Sequence, residues 1–110
     1  MRALAAVLLL AACAPSVPSV PSVPRADPIP YTLDAGGVQL SDRVLRIDFG
    51  RTDHSTVPAM TKLVGQPPAA TRDCAGGGQR VEWPDGTALI FAAGEFRGWA
   101  TPAGGAGLSC

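Results

Sequence analysis

Hydrophobic residues recur at every second position in one stretch near the middle of the chain. In residues 43–49, Leu45, Ile47 and Phe49 point to one side of the chain, and Val44, Arg46 and Asp48 point to the other. The other side carries two charged residues that water can solvate, and this period of two is typical of a half-buried β-strand. Val38 and Leu40 repeat the same period and predict a shorter strand before it.

Residues 55–64 follow a helical period instead. Their apolar residues fall on one stripe made of Val57, Met60, Leu63 and Val64. Ser55 or Thr56 is expected to cap the start, because a hydroxyl there can accept from a free backbone N–H. Gly65 suits the left-handed position that ends a helix, and the two prolines after it prevent continuation. The pattern predicts one short helix.

Three further strands are predicted after the helix, at residues 79–83, 88–92 and 95–99. Pro84–Thr87 has the composition of a tight turn, since Pro presets the backbone angle and Gly86 accepts a left-handed conformation. Ala93 and Gly94 form the second turn. Consecutive strands joined by short turns pair antiparallel, so we expect a three-stranded meander.

The predicted fold class is α+β, a small antiparallel sheet (the meander) with one helix packed on one face. The strands near residues 38–49 are expected to complete this same sheet. Residues 101–110 are rich in Gly and Ala, with Leu108 as their one large apolar residue, and are predicted to be irregular.

The first twelve residues have the pattern of a secretory signal peptide. Arg2 supplies a positive charge, Ala3–Leu10 is apolar, and two small residues follow before Cys13. The apolar stretch is about half of the roughly 20 residues that a membrane-spanning helix needs. A transmembrane helix is therefore not expected here.

The four residues from Leu10 to Cys13 read Leu-Ala-Ala-Cys and resemble the lipobox of bacterial lipoproteins. The resemblance implies that residues 1–12 are cleaved off, that the Cys13 sulfur is diacylated, and that the new amine is acylated. Two or more acyl chains hold a protein stably on a bilayer. The residue after the cysteine is Ala14 and not Asp. By the same resemblance, this implies the periplasmic face of the outer membrane in a Gram-negative host. The alternative is an ordinary signal peptide with a cysteine near its cleavage site.

Residues 13–30 are predicted to be a tether that follows the lipid-bearing cysteine. They contain six of the eleven prolines, three Pro-Ser-Val repeats and no glycine. Such a composition favours extended polyproline II, which at about 3.1 Å per residue spans roughly 50 Å. A docking ligand of PxxP type is the alternative. Residues 31–110, which contain all thirteen glycines, are predicted to be one small α+β domain.

The charge balance rules out a basic nucleic-acid-binding surface as the default interpretation. Nine Lys and Arg residues balance nine Asp and Glu residues, and loss of Arg2 with the signal leaves eight against nine. Contact with a phosphate backbone needs an excess of basic side chains. The expected partners are the membrane, through the lipid anchor, and another envelope protein, with no nucleic acid.

Three cysteines are an odd number for an exported protein. If Cys13 carries lipid, Cys74 and Cys110 remain as a pair in a compartment where disulfides persist. Closing a loop of this length stabilises a fold by roughly 3–4 kcal/mol on the chain-entropy model. The alternative is that Cys110 stays a mobile, reactive thiol.

Candidate catalytic residues are few. His54 is the one histidine, flanked by Asp53 and Ser55, but the members of a catalytic triad converge from separate segments. We interpret His54 as an exposed residue where the helix begins. The cysteines lack the spacing of a metal site, and Gly76–Gly78 lacks the Lys-Ser/Thr that follows a phosphate-binding loop. We expect no catalytic residue, no metal and no cofactor.

Aromatic residues cluster on the meander and suggest an interaction surface. If strict alternation in residues 95–99 turns Phe96 toward the helix, Arg97 and Trp99 lie together on the outer face. Exposed Trp and Arg dominate the binding energy of many protein interfaces. The alternative is a second small core, with Trp99 covered by the C-terminal tail.

Together these features predict a lipid-anchored cell-envelope protein whose domain is not an enzyme and serves protein interaction or structure. The alternative is a small inhibitor or ligand-binding module of the periplasm. The helix ending at Leu63–Pro67, followed by a Trp-containing hairpin, resembles the small helix-plus-meander modules of outer-membrane assembly lipoproteins and inhibitor-like envelope proteins. An exposed patch at Arg97 and Trp99 favours a protein partner, and a concave apolar pocket favours a ligand.

Overall fold

The computed structural model describes residues 27–41 and 44–110. The predicted signal peptide, the lipid site at Cys13 and most of the predicted tether lie outside the described residues, and they stay predictions. The described residues form two antiparallel sheets and one α-helix. The α+β class is confirmed at this level.

The first sheet has three strands in sequence order: β1 (Tyr31–Asp34), β2 (Gly37–Leu40) and β3 (Arg46–Asp48). The strand predicted over residues 43–49 is shorter than expected. Ile47 is buried, but the side chain of Leu45 is 61% exposed and Val44 is 96% exposed. The alternation therefore holds for three residues, and the two apolar residues before β3 remain at the surface.

The helix α1 spans Asp53–Val64, two residues longer at its start than predicted. Thr52 is the N-cap, and its Oγ1 accepts from the Ser55 backbone N–H at 3.3 Å. Thr52 also pairs with Glu95 in an isolated β-bridge, so the chain is extended up to the residue where the helix begins. Gly65 ends α1 at φ 80°, in the predicted left-handed conformation.

The second sheet has five strands in sequence order. They are β4 (Ala70–Asp73), β5 (Gln79–Glu82), β6 (Ala88–Ala92), β7 (Glu95–Thr101) and β8 (Gly104–Gly107). The predicted meander is β5–β6–β7, and the turn at Gly86 has φ 93°, as the sequence indicated. The flanking strands β4 and β8 were not predicted.

The prediction that all strands share one sheet is wrong. Backbone pairing with the second sheet occurs only briefly in the described residues beyond β3, where Gly50 N–H donates to Phe96 O and Phe96 N–H donates to Arg51 O, both at 2.7 Å. The chain turns into α1 immediately afterwards, at Asp53. A strand cannot extend through residues that have become helical, so the pairing ends and the sheets stay separate.

The core lies where α1 and the two sheets meet. Met60 from the helix, Val38 from β2 and Phe96 from β7 are each fully buried within it. Ile29, just before β1, also packs against this core, and its backbone N–H donates to Leu63 O at 2.8 Å. The buried hydrophobic residues of this cluster are Val38, Leu40, Ile47, Met60, Leu63, Val64, Val81, Trp83, Leu89, Phe91 and Phe96.

The C-terminal tail, predicted to be irregular, is ordered as strand β8 against β7. Glycines in both strands let the two backbones approach closely: a Cβ at Gly98 of β7 would collide with the backbone of Leu108, and one at Gly107 of β8 would collide with the backbone of Arg97. Gly-rich segments have a weak intrinsic preference for strands, which explains why the composition favoured a loop. The tail thus extends the second sheet by one strand.

Candidate functional site

A β-bulge in β7 changes the expected arrangement of Phe96, Arg97 and Trp99. Phe91 pairs with Phe96, and Ile90 pairs with Gly98, so Arg97 is an extra residue in β7. Directly opposed residues share a face of a sheet, and an inserted residue reverses the alternation beyond it. Trp99, paired with Leu89, therefore lies on the same face as Phe96. The strict alternation expected for residues 95–99 is wrong.

The side chain of Trp99 is half-buried against the hydrophobic core. Its indole Nε1–H donates to the backbone oxygen of Asp34 at 2.7 Å, so it connects the second sheet to β1. Arg97 stays exposed and pairs with Glu95, with Nη2 2.8 Å from Oε2. The structure does not bring the Trp99 and Arg97 side chains together on one outer surface, and any binding role for them remains a prediction.

Cys74 and Cys110 lie at disulfide-bonding distance, with their Cα atoms 5.4 Å apart. Cys74 follows β4, and Cys110 follows β8, so the pair joins the two edges of the second sheet. The Cys110 carbonyl also accepts from Arg80 Nη1 at 3.3 Å. The pairing predicted from the cysteine count thus has the required geometry.

The candidate functional site is a cleft between α1 and strands β4–β6, with a volume of about 350 Å³. Asp53 and His54, in the first turn of α1, line it beside Thr71 and Gln79 from the sheet. Its floor is apolar and consists of Val57, Pro58, Pro68, Val81 and Phe91. An apolar floor with a few polar side chains around it is typical of a surface that binds a peptide or a small molecule.

His54 lies on an exposed part of α1, as the sequence indicated, and its backbone N–H donates to Asp53 Oδ1 at 2.7 Å. Ser55, which follows Asp53 and His54 in the chain, belongs to the helix cap: its Oγ donates to Thr52 O at 3.1 Å. The three neighbours therefore do not form a relay. The sequence singled out His54, but it gave no sign that Thr71 and Gln79 lie across from it.

A second hollow lies on the other flank of α1, against the first sheet, and has a volume of about 260 Å³. We call it the basic groove. Its apolar lining comes from Ile29, Leu40, Leu45, Ile47, Ala59 and Leu63, and its cations are Arg46, Arg51 and Lys62. Sequence reasoning missed this groove because its residues come from four separate segments of the chain.

Arg46 is committed to a network on the first sheet. Its guanidinium donates to both carboxylate oxygens of Asp34, at 2.6 and 2.8 Å, and to Asp48 Oδ1 at 2.9 Å. These hydrogen bonds, with a further one from the Gly36 N–H, hold the pKa of the Asp34 carboxyl well below its usual range. The network fixes β1 to β3 and leaves little of the Arg46 charge for a ligand.

Tyr31 forms a second polar connection between the sheets. Its hydroxyl donates to Asp85 and lies 2.7 Å from Thr87 Oγ1, in the turn before β6. Burial, followed by the hydrogen bond to Asp85, raises the pKa of the Tyr31 hydroxyl above its usual value. Tyr31 is therefore a structural link whose partners the sequence did not indicate.

Within residues 27–41 and 44–110, no cluster of three or more His, Cys, Asp or Glu side chains has the geometry to hold a metal ion. The same described part of the chain contains no helix with the length and apolar character to span a bilayer. The chain matches no family model, no curated protein and no solved structure.

Proposed function

We propose that this protein is a lipid-anchored cell-envelope protein whose α+β domain acts by binding rather than by catalysis. The observation that carries the proposal is the order of features along the chain. Residues 10–13, which resemble a lipobox, precede a Pro-rich segment and then a domain that has its own core. This order would attach a folded module to a membrane, within the length of the Pro-rich segment.

The disulfide geometry supports an exported location. Cys74 and Cys110 lie at bonding distance, and disulfides persist mainly outside the reducing cytosol. We propose that the pair is oxidised in the mature protein. Alkylation followed by mass measurement should find these thiols only after reduction; two free thiols in freshly prepared periplasmic material would contradict the pairing.

The use of polar side chains supports a binding role. The most highly connected ones, Asp34, Arg46 and Tyr31, link strands and sheets. By contrast, the side chains of His54, Thr71 and Gln79 in the cleft have no hydrogen-bond or ion-pair partner within the described residues, and Asp53 accepts only from the neighbouring His54 N–H. Side chains whose hydrogen-bonding groups face a hollow are available to a partner. We assign partner binding to the cleft.

A matched pair of substitutions tests the cleft. Thr71 and Thr32 are both exposed residues of short edge strands, and only Thr71 lines the cleft. Thr71→Arg should fill the cleft and remove a crosslinked partner from purified membranes, whereas Thr32→Arg should leave the partner in place. A partner that survives both substitutions equally would contradict the assignment.

Location is tested separately. Cys13→Ser removes the sulfur that would carry diacylglycerol, so the protein should keep residues 1–12 and take up no labelled fatty acid. Trp99→Ala, which alters the domain and not the anchor, is the control and should still be labelled. Fatty-acid labelling of the Cys13→Ser protein would contradict lipid anchoring at Cys13.

Capture of a small ligand is a second candidate function, favoured by the size of the cleft. At about 350 Å³, it falls within the roughly 300–1,000 Å³ typical of ligand pockets. A ligand that fits should raise the unfolding temperature of the parent and of Thr32→Arg, but not of Thr71→Arg.

A further inference from the structure

The basic groove is lined by apolar side chains and edged by cations on the flank of α1 opposite the cleft. We propose that it is a membrane-contact surface, which seats the domain on the anionic phospholipid of the bilayer that holds its anchor. This inference rests on the proposed lipid anchoring and deepens it, because it specifies which face of the domain meets the membrane.

The apolar part of this surface is unusually exposed. Leu45, which lines the groove, is 61% exposed, and Val44, the residue before it in the chain, is 96% exposed. Two neighbouring large apolar side chains in water are unfavourable, and inserting them between lipid headgroups removes that cost. A bilayer surface accepts such a tip without needing a complementary pocket.

The charges at the groove favour an anionic surface. Arg51 and Lys62 line it, and neither side chain has an ion-pair partner within the described residues. Of the described cations outside the groove, Arg72 and Arg80 share Glu82, and Arg97 pairs with Glu95. The two described Lys and Arg side chains that lack an ion-pair partner therefore both line the groove. Cations flanking inserted apolar side chains are typical of contact with anionic lipid.

The path of the chain places this face near the anchor. Ile29 lines the groove, and it is the residue through which the N-terminal segment joins the domain. The lipid on Cys13 is expected sixteen residues earlier, and the described residues that lead toward it begin beside the groove. Because the anchor keeps the domain close to the bilayer, two charges and two apolar side chains suffice for seating, as in other tethered interactions.

The test uses the full chain, purified from bacterial membranes in detergent and reconstituted into phosphatidylcholine vesicles that contain a nitroxide-labelled lipid. The vesicles are made with and without phosphatidylglycerol. Val44→Trp places a fluorescent probe at the tip of the groove, and Leu108→Trp places one at an exposed apolar site outside it, with the unsubstituted chain as the baseline. In anionic vesicles, the Val44→Trp probe should be quenched more strongly than the Leu108→Trp probe.

Charge removal gives a second readout. The double variant Arg51→Gln/Lys62→Gln should lower the ratio of seated to free domain by about 30-fold. Each cation near an anionic surface changes that ratio by roughly five- to sixfold, and the variant removes two. The double variant Arg72→Gln/Arg97→Gln loses the same charge away from the groove and should change the ratio by less than about twofold.

Two results would overturn the proposal. One is equal quenching of the Val44→Trp and Leu108→Trp probes in anionic vesicles. A groove that binds a protein rather than lipid would give this result, because the vesicles contain no partner protein. The other is an equal effect of the two charge-removing variants. Failure of lipid anchoring would show differently: the chain would not sediment with neutral vesicles, while sedimentation with anionic vesicles would still report on the groove.

Discussion

Asp34 joins the two sheets at a single residue. Its carboxylate accepts two hydrogen bonds from Arg46, and its backbone oxygen accepts the indole N–H of Trp99. Trp99 reaches this oxygen only because the bulge at Arg97 turns its side chain to the core face of the second sheet. Neither feature could be predicted from the sequence, because a bulge leaves no mark in the alternation of apolar and polar residues.

Trp99 should contribute to stability far more than its neighbour Arg97. Trp99→Ala removes core packing and the hydrogen bond to Asp34, so we expect the free energy of unfolding to fall by about 2–4 kcal/mol. Arg97→Ala breaks an exposed ion pair and should change it by about 0.5 kcal/mol or less. Urea denaturation of both variants measures the difference, and equal effects would contradict the position of the bulge.

The Asp34–Arg46 pair predicts sensitivity to acid. A carboxyl whose pKa is lower in the folded state stabilises the fold above its unfolded pKa of about 3.9, and this stabilisation is lost as the pH falls toward the folded value. The urea concentration at the midpoint of denaturation should therefore decrease when the pH drops below about 4. Asp34→Asn should be less stable than the parent at neutral pH, and the gap should narrow in acid; a gap that stays constant with pH would contradict the prediction.

At the scale of elements, strong local signals were sufficient for α1 and for the β5–β6–β7 meander. The apolar stripe and the left-handed Gly65 defined the helix, and the turn at Pro84–Thr87 defined the first hairpin. The strands β4 and β8 depend on pairing with a neighbour rather than on their own residues, which are mostly small or polar. The split into two sheets depends on where the helix begins, a long-range property that short patterns do not encode.

The glycines of β7 and β8 provide a test of the unexpected C-terminal strand. Gly98→Ala should place a methyl group against the backbone of Leu108 and destabilise the domain by about 1–3 kcal/mol. Gly104→Ala lies in the same strand pair with no neighbouring atom near its Cβ position, so it should change stability by about 0.5 kcal/mol or less. Urea denaturation distinguishes them, and a well-tolerated alanine at position 98 would argue against the β7–β8 pairing.

At the scale of the whole molecule, α1 separates two surfaces of different character. The cleft has polar side chains from Asp53, His54, Thr71 and Gln79 around an apolar floor, whereas the basic groove carries two unpaired cations and an exposed apolar tip. We propose that the groove faces the membrane and that the cleft faces a partner. The sequence indicated the anchor and the small domain, but it indicated neither surface, because each is assembled from segments far apart in the chain.

The central claim, a lipid-anchored envelope protein, is tested most directly by the intact mass of the protein extracted from bacterial membranes. Cleavage before Cys13 and acylation predict a mass that lacks residues 1–12 and exceeds that of residues 13–110 by the added diacylglycerol and amide-linked acyl chain. Alkaline hydrolysis should then release the ester-linked fatty acids. A mass equal to that of the unmodified full chain, or of a cleaved chain without lipid, would contradict the account.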